Sequence, residues 1–375
     1  MKGDSVVTRR KFIEAAGLTA ALGASFGFTS KGPKRENPKA SNRTFVPVNV
    51  SPSRVIRTVV GLRPYRPSGF VVRSEQVNKK TIIHNYGHGG AGITLSWGTA
   101  KLAVDLAKLT NQKRFAVLGC GVIGLATARE LQRNGFQATI YAKDLPPQTT
   151  SNIAGGLWLP TSVYDKSKAQ SNFLTQFDSA CRISHRMFQN FVGGDYGVSW
   201  IDEFSLGIHA NLPPGTDIYP DIKEHRDPKT YFGFDYAHQF GTMLIEPAIY
   251  LNAMLRDFYL AGGKVKVKSF ESIKDINALS ESVVMNCTGL GAGKLFNDTE
   301  ITPVRGQLSI LLPQPEIDYS YSTEIDGNFI YMIPRKDGIV LGGTFQEGNW
   351  STDPSPADSE MILKSHAVVA KSFDH

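Results

Sequence analysis

"RFAVLGCGVIGLATARELQRNGFQATIYAKD", Arg114 to Asp144, decides the fold. FAVLG is a short apolar run of the kind buried inside a parallel sheet. After it, Val122, Ile123, Ala126 and Leu131 recur at helical spacing until Gly135 closes the helix. FQATIYA reads as a second strand. Gly119, Gly121 and Gly124 stand at the strand-to-helix turn with the spacing GxGxxG. The first permits the turn, the second lets backbone approach a pyrophosphate, and the third lets the helix pack closely. Around Val122 and Ile123, unpaired N–H groups and the positive end of the helix dipole favour a phosphate. The unit therefore points to a bound dinucleotide, NAD or FAD. An acid at the end of the second strand would hold the ribose. Here Lys143 follows the strand and Asp144 comes one residue later, so that contact stays open.

Reading outward toward the C-terminus, "PPQTTSNIAGGLWLP" (Pro146 to Pro160) offers the hydroxyls of Thr149, Thr150 and Ser151 and bare backbone at Gly155 and Gly156, followed by Leu157. An NAD enzyme usually proceeds to another helix at this point, whereas this stretch reads as a loop laid along an elongated cofactor. Reading outward in the other direction, "HNYGHGGAGITLSWG" (His84 to Gly98) is a second glycine-rich loop opening a helix. Gly87, Gly89, Gly90, Ala91, Gly92 and Ile93 bring backbone to a ligand, and Thr94 adds a hydroxyl. His84 and His88 read as residues that shape this loop through hydrogen bonds.

The chain has 375 residues and a net charge of +7, but residues 1 to 45 hold nine Lys and Arg against three acids. The rest is almost neutral, so no nucleic-acid partner is expected. "TRRKFIEAAGLTAALGASFGF" has twin arginines, Arg9 and Arg10, then Phe12 and a weakly apolar run from Ala15 to Phe28. It resembles a twin-arginine (Tat) signal peptide. The expectation is export by the Tat machinery to the periplasm, or to the outer side of the inner membrane, with the cleavage site open. Residues 30 to 53 read as a proline-broken linker. Cys120, Cys181 and Cys287 form no CxxC, so neither a disulfide framework nor a metal site is expected.

These stretches, with "VVMNCTGLGAG", "RGQL", "YMIP", "LGGTFQEGNW" and "GLRPYRP", resemble the D-amino acid oxidase and D-aspartate oxidase family of FAD-dependent oxidoreductases. The resemblance runs through nearly all of residues 54 to 375. In that family "GLRPYRP" and "HNYGHGG" end the chain and the fingerprint begins it, and here the order is reversed. The sequence therefore looks like a circular permutant whose new junction, "AKLAVDLAKLTNQK", joins the helix after the HGG loop to the first strand.

The resemblance implies an α/β fold: a Rossmann-like, FAD-binding parallel sheet with helices, plus a mixed, largely antiparallel substrate-binding sheet. Residues 1–45 would be signal and linker. Residues 68–162 and 248–302 would form the FAD-binding domain, and 46–67, 163–247 and 303–375 the substrate-binding domain. It implies oxidation of a D-amino acid by hydride transfer to flavin N5, giving 2-oxo acid, ammonia and, with O2, hydrogen peroxide. Arg63 matches the family's carboxylate-binding arginine, with Arg66 as its rival. Tyr331 matches the second carboxylate ligand, and the backbone carbonyl of Gly90 the acceptor for the amine. Thr288 and Gly289 match a contact with the adenosine half of FAD. The family's lid tyrosine has no counterpart in register, leaving Tyr319, Tyr321 and Phe329 as candidates. Ile325 and Phe345 stand where the acidic-substrate branch carries arginines, so a neutral substrate is expected, with Arg335 the remaining reservation. A glycine or sarcosine oxidase or dehydrogenase, and a non-catalytic FAD-binding protein, are the alternatives. The oligomeric state, homodimer included, stays open.

Overall fold

A computed structural model of the chain describes residues 45–207, 215–226 and 232–374. The twin-arginine segment lies outside the described residues. From residue 45 the chain runs β1 (Val55–Tyr65), β2 (Val71–Val77), β3 (Lys80–Tyr86), α1 (Gly92–Lys108), β4 (Arg114–Leu118), α2 (Val122–Arg133) and β5 (Gln137–Ala142). It continues with α3 (Ser171–Gln189), β6 (Val198–Leu206), β7 (Lys223–His225), β8 (Ala237–Ile245), α4 (Pro247–Leu260), β9 (Lys264–Val267) and β10 (Val283–Asn286). It closes with β11 (Thr302–Leu311), β12 (Tyr319–Ile325), β13 (Asn328–Arg335), β14 (Gly338–Gly342), β15 (Gln346–Glu347) and α5 (Pro356–Lys371).

The smaller sheet has the order β2-β3-β10-β4-β5-β9 and is parallel except at the edge pair β2/β3. Its central strands β10 and β4 are apolar at nearly every position because both faces are covered. Phe115, Val117, Ile140 and Met285 turn to a cluster shared with α1, α2, α3 and α4, whereas Ala116, Leu118 and Val284 turn to a second one with Ile276 and Leu279. β3 precedes β4 in the chain, yet the two flank β10 in space, and α1 carries the chain from one to the other. α1 meets α3 at Gly98, where an added Cβ would stand 2.0 Å from the carbonyl oxygen of Ala180.

The larger sheet has the order β1-β11-β14-β13-β12-β6-β8-β7, with β15 beside β11. Every pair in it is antiparallel except β6/β12. Alternation again sorts its residues. Tyr319, Tyr321, Ile330 and Met332 pack under Ile362 and Val369 of α5. Ile201, Leu308, Ile310, Ile333 and Val340 occupy the other face. α5 is pinned to β11 by Arg305, which pairs with Asp358 at 2.6 Å and donates to Gln307 at 3.0 Å. Arg305 is thus a structural tie. The fold is the mixed α/β arrangement expected, one mostly parallel sheet between helices and one largely antiparallel sheet. Among the described residues no helix is long and apolar enough to cross a membrane, and no group of His, Cys, Asp and Glu is placed to hold a metal.

Candidate active site

Between the two sheets lies a cleft of about 2340 Å³, and its walls are the glycine-rich loops and the second face of the larger sheet. The fingerprint forms the turn from β4 into α2. Gly119 has φ of +107°, and a Cβ there would stand 2.5 Å from the carbonyl oxygen of Cys287. Gly124 lies behind the turn, not on the cleft wall: its Cβ would stand 2.0 Å from the carbonyl oxygen of Gly119. Its contribution is the close packing of helix on turn, and it makes no contact with the cleft. Gly121, Val122 and Ile123 do line the cleft. Ser151 Oγ accepts from the Val122 N–H at 3.0 Å, which ties the Thr-rich loop to the helix start. Thr149, Thr150, Gly156 and Leu157 continue that wall, with Lys143 and Asp144 at its end. Lys143 and Asp144 stand 3.4 Å from each other and are well exposed. Thr288 and Gly289, after β10, close the same side.

The loop that follows β3 brings Gly89, Gly90, Gly92, Ile93 and Thr94 to the cleft. Ala91 is fully buried behind them, packed in the core at the head of α1, and does not reach the cleft. The Thr94 hydroxyl is taken up by the loop opposite: it donates to the Leu159 carbonyl at 3.1 Å and accepts from the Leu159 N–H at 3.2 Å. His84 lies between Glu75 at 3.0 Å and Asn286 at 2.9 Å. His88 bonds Thr99 at 2.9 Å and stacks on Phe70. Burial lowers the affinity of both imidazoles for a proton, in His88 to about 3. Both histidines are neutral loop-shapers. Burial likewise pushes the thiols of Cys120, Cys181 and Cys287 up to about 12, so all three are inert.

Arg63 and Arg66, three residues apart on and just after β1, have opposite fates. Arg66 pairs with Asp298 at 2.7 Å and donates to Ser68 and Gly69, and Tyr86 also bonds Asp298. Arg63 lies over the bare backbone of Gly306, where a Cβ would stand 2.4 Å from its Nη1. Its only hydrogen bond among the described residues goes to the carbonyl of Thr344 at 3.2 Å, and no carboxylate there pairs with it. A Cβ on Gly90 would stand 3.8 Å from Arg63 Cδ, so the cation and the glycine loop adjoin. Tyr331, on β13, lies over Gly342 and Gly343 with no partner for its hydroxyl among the described residues. A guanidinium with no carboxylate partner and a phenol with no partner, both among the described residues, and an accessible glycine backbone on one wall form an anchor for a carboxylate with an adjoining acceptor for an amine.

Tyr319 and Tyr321 are buried on the opposite face of the larger sheet, where Tyr321 bonds His366 at 2.7 Å, so neither covers the cleft. Phe329 is 62% exposed at the cleft edge. Arg335 is held by Asp337 at 2.8 Å and by the carbonyl of Ala154. That removes it as a second anchor for an acidic substrate.

One residue that the sequence did not single out also lines the cleft. Glu203, on β6, is 1% exposed, and burial pushes its carboxyl up to about 7 from the usual 4.5. Below the lower value folded and unfolded chains are both protonated and the group costs nothing. Between the two the folded chain keeps a proton that the unfolded chain has lost, so stability falls as pH rises. Above the higher value the penalty is constant, on the order of 3 kcal/mol. Glu203→Gln is therefore expected to stabilise the protein by roughly that amount at about pH 8 and by nearly nothing at about pH 4. Urea unfolding at the two pH values checks this.

The glycine-rich walls, the start of α2 facing the cleft and its volume of about 2340 Å³ fit an FAD: a Cβ added at Gly92 would meet nothing nearer than Val122 Cγ1 at 3.9 Å, so a side chain there would enter the space the cofactor needs. Gly119, Gly121, Val122 and Ile123 would hold the pyrophosphate, and the 149–157 and 89–94 loops would flank the flavin.

The profile of the family described as "DAO: FAD dependent oxidoreductase" matches residues 23–106 and 114–368. The chain is 30% identical to a D-amino acid oxidase of Dugesia ryukyuensis over 274 residues, 69% of this chain and 78% of that protein. It is 31% identical to a D-amino-acid oxidase of Dictyostelium discoideum over 265 residues, 68% of this chain and 73% of that protein. Among solved structures, glycine oxidase from Geobacillus kaustophilus has a TM-score of 0.52 at 16% identity over 70% of this chain and 80% of that one. L-proline dehydrogenase from P. horikoshii has a TM-score of 0.51 at 15% identity over 70% and 78%. At these identities the structural likeness establishes the fold alone.

Proposed function

The chain belongs to the FAD-dependent oxidoreductase family, and from that premise we propose that it oxidises D-amino acids, neutral ones before acidic ones, with O2 as final acceptor. The observation that carries this reading is Arg63, paired with no carboxylate among the described residues, beside Gly90 and on the same cleft wall as Tyr331, in a chain whose relatives at about 30% identity are D-amino acid oxidases. Bound FAD supplies the two-electron acceptor. The chain's own part is placement. Arg63 holds the α-carboxylate through two parallel hydrogen bonds, Tyr331 adds its hydroxyl, and a backbone carbonyl of the HGG loop receives the amine. No acid or base is required at Cα when the amine arrives neutral. Incubation of the purified protein with D-alanine in air should yield pyruvate, ammonia and hydrogen peroxide in equal amounts. Product from glycine or sarcosine and none from D-alanine would replace this reading with the glycine-oxidase type.

Two further parts of the proposal concern chain order and location. The reversed order of motifs is that of a circular permutant, and the family match supports it by falling into two stretches that part at residues 107–113, from the last two residues of α1 to the start of β4. The twin arginines support Tat export to the periplasm. Replacing Arg9 and Arg10 together by lysine should retain the FAD-loaded protein in the cytoplasm. Cell fractionation reads this, and unchanged export would point to another route.

A further inference from the structure

Both side chains of the carboxylate anchor rest on one short segment, residues 342–344, where β14 ends. The ring of Tyr331 lies against it: a Cβ at Gly342 would stand 2.2 Å from Cζ of that ring, and one at Gly343 2.7 Å from Cε1. Arg63 donates to the Thr344 carbonyl at 3.2 Å. β14 pairs with β11 through Ile339, Val340 and Leu341, and past that point side chains hold the segment. The Gln307 N–H donates to Thr344 Oγ1 at 2.8 Å, and His366 Nε2 donates to the Gly342 carbonyl at 2.7 Å.

His366 is wholly buried on α5, behind the larger sheet, and is not part of the cleft wall. Its partners fix its proton. A carbonyl can only accept, so Nε2 carries the hydrogen, Nδ1 is bare, and the Tyr321 hydroxyl donates to Nδ1 at 2.7 Å. Burial keeps the ring neutral, its pKa pushed down to about 4. An apolar side chain would fill such a place between helix and sheet. A histidine with both nitrogens committed also specifies where the backbone it grips must lie.

We propose that His366 is a positioning residue for substrate binding: by gripping the Gly342 carbonyl, with Tyr321 holding its ring, it fixes residues 342–344 and with them the placement of Tyr331 and Arg63. The inference rests on the reading of those two side chains as the carboxylate anchor. His366 touches neither substrate nor cofactor. Without its grip the segment relaxes, the phenol and the guanidinium shift relative to each other, and their joint hold on a carboxylate weakens. The FAD walls, built from the loops after β3, β4, β5 and β10, keep their own supports.

The test uses FAD-loaded protein and propionate, a carboxylate without the amine, whose binding is read from the visible absorption of the flavin. In His366→Leu the Kd for propionate should rise roughly tenfold or more and kcat/KM for D-alanine should fall at least as far, with FAD affinity within about twofold of wild type. His366→Gln, whose amide can donate to the same carbonyl, should recover most of the loss. In an Arg63→Ala background His366→Leu should cost kcat/KM much less than it does alone, because one of the groups it positions is gone. Val369→Ala, on the same buried face of α5, is the control: it should lower the thermal midpoint and leave propionate affinity unchanged. If His366→Leu does not fold, Tyr321→Phe, which keeps the imidazole but frees its tautomer, should weaken propionate by about threefold. Unchanged propionate affinity in the folded variant, or an equal loss in the Val369→Ala control, would overturn the proposal. If the wild type binds no propionate, the anchor itself is wrong and the proposal falls with it, while reduction of the flavin by D-alanine judges the D-amino acid reading separately.

Discussion

Arg63→Ala is expected to lower kcat/KM for a D-amino acid roughly thirty- to thousandfold while FAD remains bound. The guanidinium is unpaired by any carboxylate among the described residues and adjoins Gly90. Its removal deletes a charge-assisted, two-pronged anchor worth on the order of 2 to 4 kcal/mol. Little in the fold depends on it, because its one bond goes to the Thr344 carbonyl. Arg63→Lys should recover little, since a point charge cannot reproduce the fork. Arg66→Ala is the control. It breaks a pair with Asp298 that also holds Tyr86, so it should lower stability and leave turnover in the surviving folded protein. Steady-state kinetics on FAD-loaded protein decides. If Arg66→Ala abolished turnover and Arg63→Ala did not, the anchor would be Arg66. Loss of FAD from the Arg63 variant would assign it a structural role in β1.

The second large effect is expected at Gly124. Its added methyl in Gly124→Ala would stand 2.0 Å from the carbonyl oxygen of Gly119, so either α2 or the turn must move. Overpacking of this kind costs about 1 to 3 kcal/mol. Here the displaced element is the turn that carries Gly119 and Gly121, so FAD affinity should fall roughly ten- to hundredfold. Gly135→Ala is the comparison. Gly135 has φ of +77° with nothing within 4 Å of an added Cβ, so the alanine meets only backbone strain, about 1 kcal/mol, far from the cofactor. Titration of the two apoproteins with FAD separates them. Equal affinities would remove the close-packing role given to the third glycine.

What could be read from the sequence and what could not divide along physical lines. β4 and β5 were legible because a strand covered on both faces is a continuous apolar run, and the glycines because each turn or close approach excludes side chains. Arg63 was separable from Arg66 by resemblance alone. The structure supplies the reason in Asp298, a partner more than 200 residues away that no local pattern could assign to either arginine. Two of the three lid candidates failed on parity: Tyr319 and Tyr321 fall on the face of β12 that packs under α5, while Ser322 of the same strand lines the cleft and Phe329 stands at its edge. Glu203 was missed for a similar reason. In VSWIDEFSL two adjacent acids look like a solvent face, and only the pairing of β6 with β12 and β8 shows that Glu203 is turned into the cleft. The signal available was the apolar Phe204 and Leu206 beside it, which mark a strand with one fully buried face. Ala91 was read as bringing backbone to the ligand, and burial places it behind the wall, where, as at Gly124, the motif encodes packing.

Oxidation of D-amino acids by bound FAD can be watched in isolation in the half-reaction without oxygen. Purified protein is mixed anaerobically with D-alanine, L-alanine, glycine or sarcosine, and the visible absorption of the flavin is followed. D-alanine is expected to bleach it quickly and L-alanine not at all, with glycine and sarcosine slow or inert. A protein that carries FAD but is bleached by none of the four amines, or by L-alanine in place of D-alanine, would contradict that expectation.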